Sequence, residues 1–262
     1  PIDRINADVR AASRSLSSKE ARYLVDLYYV WQEDRKRAGN QVRAMEDEPS
    51  SALQWAFGVA KSAESHLKTL LQEYAEADPV GRWALSITGI GPSISAGLLC
   101  HIDIHQAPTV GHIWRFAGLD PTVKWEKKTK RPWNASLKTL CWHIGESFVK
   151  VQNLESDVYG KLYVERKAYE QAKNEAGDYE EQAKAALANK KIGADTEAYK
   201  HYFTGKLPPG HIHARAKRWT VKLFLAHWHE VAYIQAFGVA PPKPYALAIL
   251  EHGHKIEVPG FQ

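Results

Sequence analysis

"SITGIGPSISAGLLCHIDI", residues 86–104, decides how the rest of the chain is read. Gly89 and Gly91 flank Ile90, Pro92 follows, and small and apolar residues run on to Ile104. Such a stretch is a nucleotide-cradling loop, a clamp on nucleic-acid backbone, or a tight turn between core helices. A dinucleotide fingerprint needs a third glycine three residues after the second, and that position is Ile94, with no strand pattern before it. A Walker loop needs Gly-Lys-Ser/Thr, which does not follow. The remaining match is the hairpin of a helix-hairpin-helix element, apolar-x-Gly-apolar-Gly, here Ile87-Thr88-Gly89-Ile90-Gly91. Glycines permit positive φ and let a phosphate approach the backbone. The amides opening the next helix then face that phosphate, and the helix dipole favours its charge. Pro92 suits the first helical turn, where its missing N–H costs nothing. Gly89, Ile90, Gly91 and Ser93 are therefore the candidate backbone contacts. A purely structural glycine turn remains the alternative. Ala96 and Gly97 are small enough to let the two short helices pack closely.

Outward from this hairpin the periodicity is helical. Ser17 and Ser18 are capping candidates for a helix carrying Tyr23, Leu24, Leu27, Tyr28 and Trp31 at three- and four-residue spacing. After Pro49-Ser50-Ser51 a second helix places Leu53, Phe57, Ala60, Ala63, Leu67, Leu70, Leu71 and Tyr74 on one face and ends at Asp78-Pro79. Their similar lengths predict a coiled-coil-like antiparallel hairpin. Another helix spans Thr109 to Gly118, "TVKWEKKTKRPW" reads as a basic loop, and a helix resumes near Asn134 with Leu137, Leu140, Cys141, Ile144 and Phe148 inward. Residues 159–206 read as exposed helices. "KLPPGH" marks a boundary before a last helix from His213 to about Phe237 and a proline-punctuated tail. No strand pattern and no repeat emerges, so the predicted class is all-α. Its expected parts are an N-terminal helical hairpin (1–78), a helix-hairpin-helix domain (79–155) and a C-terminal helical extension with a Pro-rich tail (156–262).

The 262 residues suffice for one large domain or two modest ones, and 44% hydrophobic with 25% charged residues is ordinary for a globular chain. No apolar run approaches a membrane span, and no signal core opens the sequence. Pro1 fits removal of an initiator methionine, and the expected compartment is the cytoplasm. Cys100 and Cys141 lack further ligands at zinc spacing and read as reduced core residues. The His-x-His pairs at 211/213, 227/229 and 252/254 put their rings on different sides of a helix, with no acidic or cysteine cluster beside them, so neither metal nor cofactor is expected.

The net charge of +5 matters less than its distribution. Lys124, Lys127, Lys128, Lys130 and Arg131 alternate with Trp125 and Trp133, a pattern of phosphate neutralisation plus aromatic stacking that suits nucleic acid. The bland reading is a solvated loop anchored by its tryptophans. On the last helix Val221, Phe224, Leu225, Trp228 and Val231 form an apolar stripe. Arg215, Arg218, Lys222 and His229 follow on another face, as a solvated face or a second phosphate strip.

"ITGIGPSISAGLLCHIDI" (87–104), "APTVGHIWRFAGLDPTV" (107–123), the basic loop and "RPWNASLKTLCWHI" (131–144) resemble the C-terminal domain of IS110-type (IS116/IS110/IS902) transposases. The resemblance covers roughly residues 80–150, and the preceding helices are similar to that family's coiled-coil region. It implies a helix-hairpin-helix fold that engages DNA. Two departures limit it. The family carries an N-terminal RuvC-like nuclease domain, which needs strands where only about fifteen polar residues precede the first long helix. It also uses a serine in a Ser-Gly context beyond the Ala-Gly-Leu-x-Pro motif. Here "TVKWEKKTKRP" holds no serine, and Ser136 lies past the loop. The catalytic residues are therefore unknown. "LPPGHIHARAKRWTVKLFLAHWHEVAY" (207–233) is similar to phage and mobile-element proteins labelled transposases.

The expected function is DNA binding, to duplex, branched or single-stranded forms, with RNA and self-association through the N-terminal helices as further partners and no membrane. Two other classes fit. A recombinase or nuclease with a non-family active site, partner subunit or guide RNA predicts cleavage or a covalent adduct. A phage-encoded interaction or inhibitor protein predicts DNA affinity unaffected by charge reversal at Lys127, Lys128 and Arg131.

Overall fold

The computed structural model describes residues 5–45, 47–126, 128–189, 191–242 and 256–261. Lys127, His252 and His254 lie outside them. Among the described residues there are eleven α-helices and no strand, so the fold is all-α. The first is α1 (Ala7–Ser13), a short helix that the periodicity does not announce, capped by Asn6. α2 (Ser18–Arg43) starts at a capping box: the Ser17 hydroxyl accepts from the Glu20 N–H while the Glu20 carboxylate accepts from the Ser17 N–H. Ser50 caps α3 (Ser51–Ala77). Gly39 lies beside Phe57, Arg35 pairs with Glu64, and Arg14 ahead of α2 pairs with Glu73, so α2 and α3 run antiparallel. Of the expected face of α2, Tyr28 is buried and Leu24, Leu27 and Trp31 pack against the same core, which Ala21 and Val25 also enter, while Tyr23 is exposed.

Asp78 both ends α3 and caps α4 (Pro79–Ser86), accepting from the N–H groups of Val80 and Gly81. α5 (Pro92–His101) follows the five-residue connection 87–91. It is the innermost helix, with every residue but Leu99 buried. Ala96 and Cys100 pack with α2 and α3, while a Cβ added to Gly97 would stand 2.7 Å from Leu140 Cδ2. The small residues thus admit three neighbouring helices, not α4 alone. α6 (Val110–Phe116) leads through the basic loop to α7 (Ala135–Val151), whose five predicted inward residues are all buried.

α8 (Tyr159–Glu175), α9 (Glu180–Asn189) and α10 (Glu197–Phe203) occupy the polar segment. Tyr202, Leu207 and Ile212 join Ala183 and Ala186 in a small core of their own. The last helix, α11 (Pro209–Phe237), starts four residues before the expected His213, because Pro209 takes the first helical position that a proline favours. Its Val221, Phe224, Leu225, Trp228 and Val231 enter the same core as α4, α5 and α7. Phe148, Tyr159 and Phe224 meet there as a stacked and edge-on trio that ties α7, α8 and α11 together. Residues 256–261 return to this core: the Trp83 indole N–H donates to the Pro259 carbonyl, and Val258 and Phe261 pack alongside.

Candidate nucleic-acid interface

The basic loop is tied down at its far end. The Asn134 N–H donates to the Phe116 carbonyl at 2.8 Å, and its side chain caps α7 by accepting from Leu137 at 2.9 Å. Gly118 leaves α6 with φ +65°, and the Trp133 indole lies directly on it. Trp125 meets Trp133 edge-on at 6.5 Å, and its indole N–H donates to the Thr129 carbonyl. Each ring carries a cation: the Arg131 guanidinium lies 5.3 Å from the centroid of Trp125, and Lys138 Nζ 4.0 Å from that of Trp133. Lys128 holds φ +70°, alone among the described non-glycine residues.

Lys138, on the first turn and a half of α7, is a residue the loop motif does not include. Burial, then the charges of Arg131 and Arg218, pull its ammonium below the ordinary lysine value. Through it the loop meets α11. Lys222, one turn beyond Arg218, places Nζ 4.2 Å over Trp114 of α6, whose indole N–H donates to the Lys222 carbonyl. Burial lowers Lys222 and Arg218 as well; Asp120 opposes the first shift and Arg215 adds to the second. Loop, α7 and α11 therefore present one surface. Among the described residues no carboxylate forms an ion pair with Lys124, Lys128, Lys130, Arg131, Lys138, Arg218 or Lys222.

Arg215 stands apart from this group. Its Nε donates to the buried Glu170 carboxylate at 2.9 Å, which Arg166 and Tyr179 also bond. Burial alone would raise the Glu170 carboxyl, but hydrogen bonds from Tyr179, Arg215 and Arg166 hold it below the usual value. Lys217 next door pairs with Glu146. His229 is buried and bonded to the Ala107 carbonyl at 2.8 Å, so it does not share the face of Arg218 and Lys222.

The hairpin lies at the opposite end of α7. Gly89 has φ +94°, and a Cβ there would meet Val151 at 3.1 Å and Phe148 at 3.4 Å. The Ser147 hydroxyl donates to the Gly89 carbonyl, and the Thr88 hydroxyl bonds Ser156. Gly91 caps α5 with open space where a Cβ would be, and among the described residues nothing accepts from its N–H. Ile90 and Ser93 are buried. From Lys138 to Val151 is roughly 20 Å along the helix at 1.5 Å per residue.

The described histidines of the His-x-His pairs have partners of their own. His211 faces Tyr202, His213 faces Tyr163 at 2.6 Å, and His227 faces Tyr159 at 2.7 Å. No group of three or more metal-ligating side chains occurs among the described residues. Both cysteines are buried and free, and burial pushes each thiol up to about 12. A cleft of about 540 Å³ between α2, α4 and α11 mixes Arg22 with Asp78 and Asp103 and lacks the single-sign charge of the basic surface. None of the described helices is long and apolar enough to cross a membrane. No family model, curated protein or solved structure matches the chain, and the class its fold defines is an all-α protein.

Proposed function

We propose that this chain binds nucleic acid, DNA first, by its phosphate backbone. The observation that carries the reading is the convergence of Arg131, Lys138, Arg218 and Lys222 from three separate segments, none in an ion pair with a described carboxylate, with Arg131, Lys138 and Lys222 each over a tryptophan ring. Unpaired cations held at this density repel one another, and a polyanion relieves that repulsion while releasing its own counterions. The hairpin is a second contact in this proposal, supported by the unengaged Gly91 N–H at a helix start. The resemblance to the DNA-engaging domain of IS110-type transposases points the same way. It also supports an origin in a phage or mobile element.

The test is binding to duplex, single-stranded and branched DNA and to RNA across a salt series. The expected logarithmic affinity falls steeply with salt, and each of Arg131→Glu, Lys138→Glu and Arg218→Glu reduces the slope by about 1 or more. Lys184→Glu, an exposed α9 lysine paired with Glu180 and Glu181, serves as the control. Affinity unchanged by the three reversals refutes the proposal. Cleavage or a covalent adduct in the same mixtures with Mg²⁺ moves the protein to the recombinase or nuclease class.

A further inference from the structure

The tryptophans at the basic surface divide into two kinds. Trp125, Trp133 and Trp114 each have a cation over the ring, and the indole N–H groups of Trp125 and Trp114 are taken by backbone carbonyls. Their rings hold cations in place. Trp142 differs. It is 57% exposed, has no cation over its ring among the described residues, and meets His143 in a T-shaped pair at 5.1 Å, His143 being itself stacked on Tyr29 at 4.4 Å. It stands one turn beyond Lys138 on the same face of α7, a neighbour at i,i+4. The exposed Lys150 lies two turns further on, where Val151 and Phe148 back Gly89 of the hairpin. The outer face of α7 thus places a bare indole one turn from Lys138, while Gly89 packs on the other side of the helix, against Ser147, Phe148 and Val151.

We infer that Trp142 is a stacking platform for an unpaired base, so that the preferred ligand is a single-stranded segment whose phosphates lie on the Lys138 side. This rests on the nucleic-acid reading above and adds its substrate class. A duplex keeps its bases in the stack and offers a flat surface indole only backbone. A single strand can leave one base on the ring while its phosphates reach Lys138 and Arg218. An indole is sequence-tolerant, because every base has a π-face. An indole fixed on a helix also loses little freedom when a base covers it.

The experiment uses the full chain with three fluorescein-labelled probes of equal length: a blunt DNA duplex, a mixed-sequence DNA single strand and the same strand as RNA. The wild type is expected to bind the single strands more tightly than the duplex. Trp142→Leu, a surface change, is expected to weaken single-strand binding at least fivefold and duplex binding less than twofold, while Trp142→Phe keeps most of the affinity. Tryptophan fluorescence quenched by the single strand in wild type is expected to lose amplitude in Trp142→Leu. DNA and RNA arms that fall together identify the shared base-stacking chemistry, and a fall in one alone identifies the source. Duplex preference in the wild type, or Trp142→Leu affecting both probes equally or neither, overturns the inference. If Lys138→Glu and Arg218→Glu still abolish binding in that case, the backbone reading stands without it; if they too have no effect, both fail.

Discussion

Gly118 shows how one residue sets a binding surface. Its φ of +65° belongs to the left-handed region, and the space a Cβ would need is filled by the Trp133 indole at 2.8 Å. Gly118→Ala is expected to destabilise the fold by roughly 1–3 kcal/mol in urea melts, through strain and displacement of the ring. Displacing Trp133 also removes the seat of Lys138, so nucleic-acid affinity should fall with stability. Gly91 separates the two effects for the hairpin. Its φ of −95° is open to any residue, and its Cβ direction is empty. Gly91→Asp adds a favourable cap for α5 and should preserve or raise the melting temperature, yet its charge sits where a phosphate is proposed. A tenfold or greater loss of DNA affinity, absent in the isosteric Gly91→Asn, is the expected result; equal affinity of both variants makes the hairpin a structural turn.

Elements were legible in the sequence where their ends carry chemistry. Ser17, Ser50, Asp78 and Asn134 each cap a helix, because short polar side chains before an apolar-periodic run satisfy the first free N–H groups. Faces were less legible. In α2 Leu24, Leu27, Tyr28 and Trp31 pack as their spacing predicts, whereas Ala21 and Val25 are selected only by contact with α3 and α5. The site divides in the same way. A charge run inside twelve residues is visible, but Lys138 and Trp142 stand on a helix whose apolar stripe dominates its pattern. Nor does spacing reveal that Glu170, 45 residues before Arg215, withdraws that arginine from the basic strip. This predicts opposite outcomes for two arginines on one helix. Arg215→Gln should lower stability by about 1.5–3 kcal/mol through its lost charged hydrogen bond and leave DNA affinity nearly unchanged. Arg218→Gln should leave stability within about 0.5 kcal/mol and weaken binding with a salt slope about 1 smaller.

At the scale of the whole molecule, the same burial that builds the core also sets how it responds to pH. Burial holds His101, His143, His213 and His229 below the ordinary value of 6.5. Such groups stay neutral in the fold but take up protons in the unfolded chain, so stability is present above about pH 6.5 and declines as pH falls through it. Thermal melts between pH 7.5 and 5 should show that decline, shallower in His229→Gln. The basic surface has the reverse signature on the alkaline side. Burial and the nearby Arg131 and Arg218 charges lower Lys138 in the free protein, whereas a bound phosphate backbone favours its charged form. Binding therefore raises its pKa, and linkage requires proton uptake at pH values between the free and bound pKa. Calorimetric titrations of oligonucleotide in buffers of differing ionisation enthalpy should report uptake that appears as pH approaches the ordinary lysine value of 10.5 from below. Affinity should fall over the same range. Lys138→Arg keeps the charge but cannot release the proton, so it should bind with little uptake and a flatter pH profile. Uptake equal in the wild type and Lys138→Arg means that the phosphate does not sit on Lys138, and the place where loop, α7 and α11 meet is then not the centre of the interface.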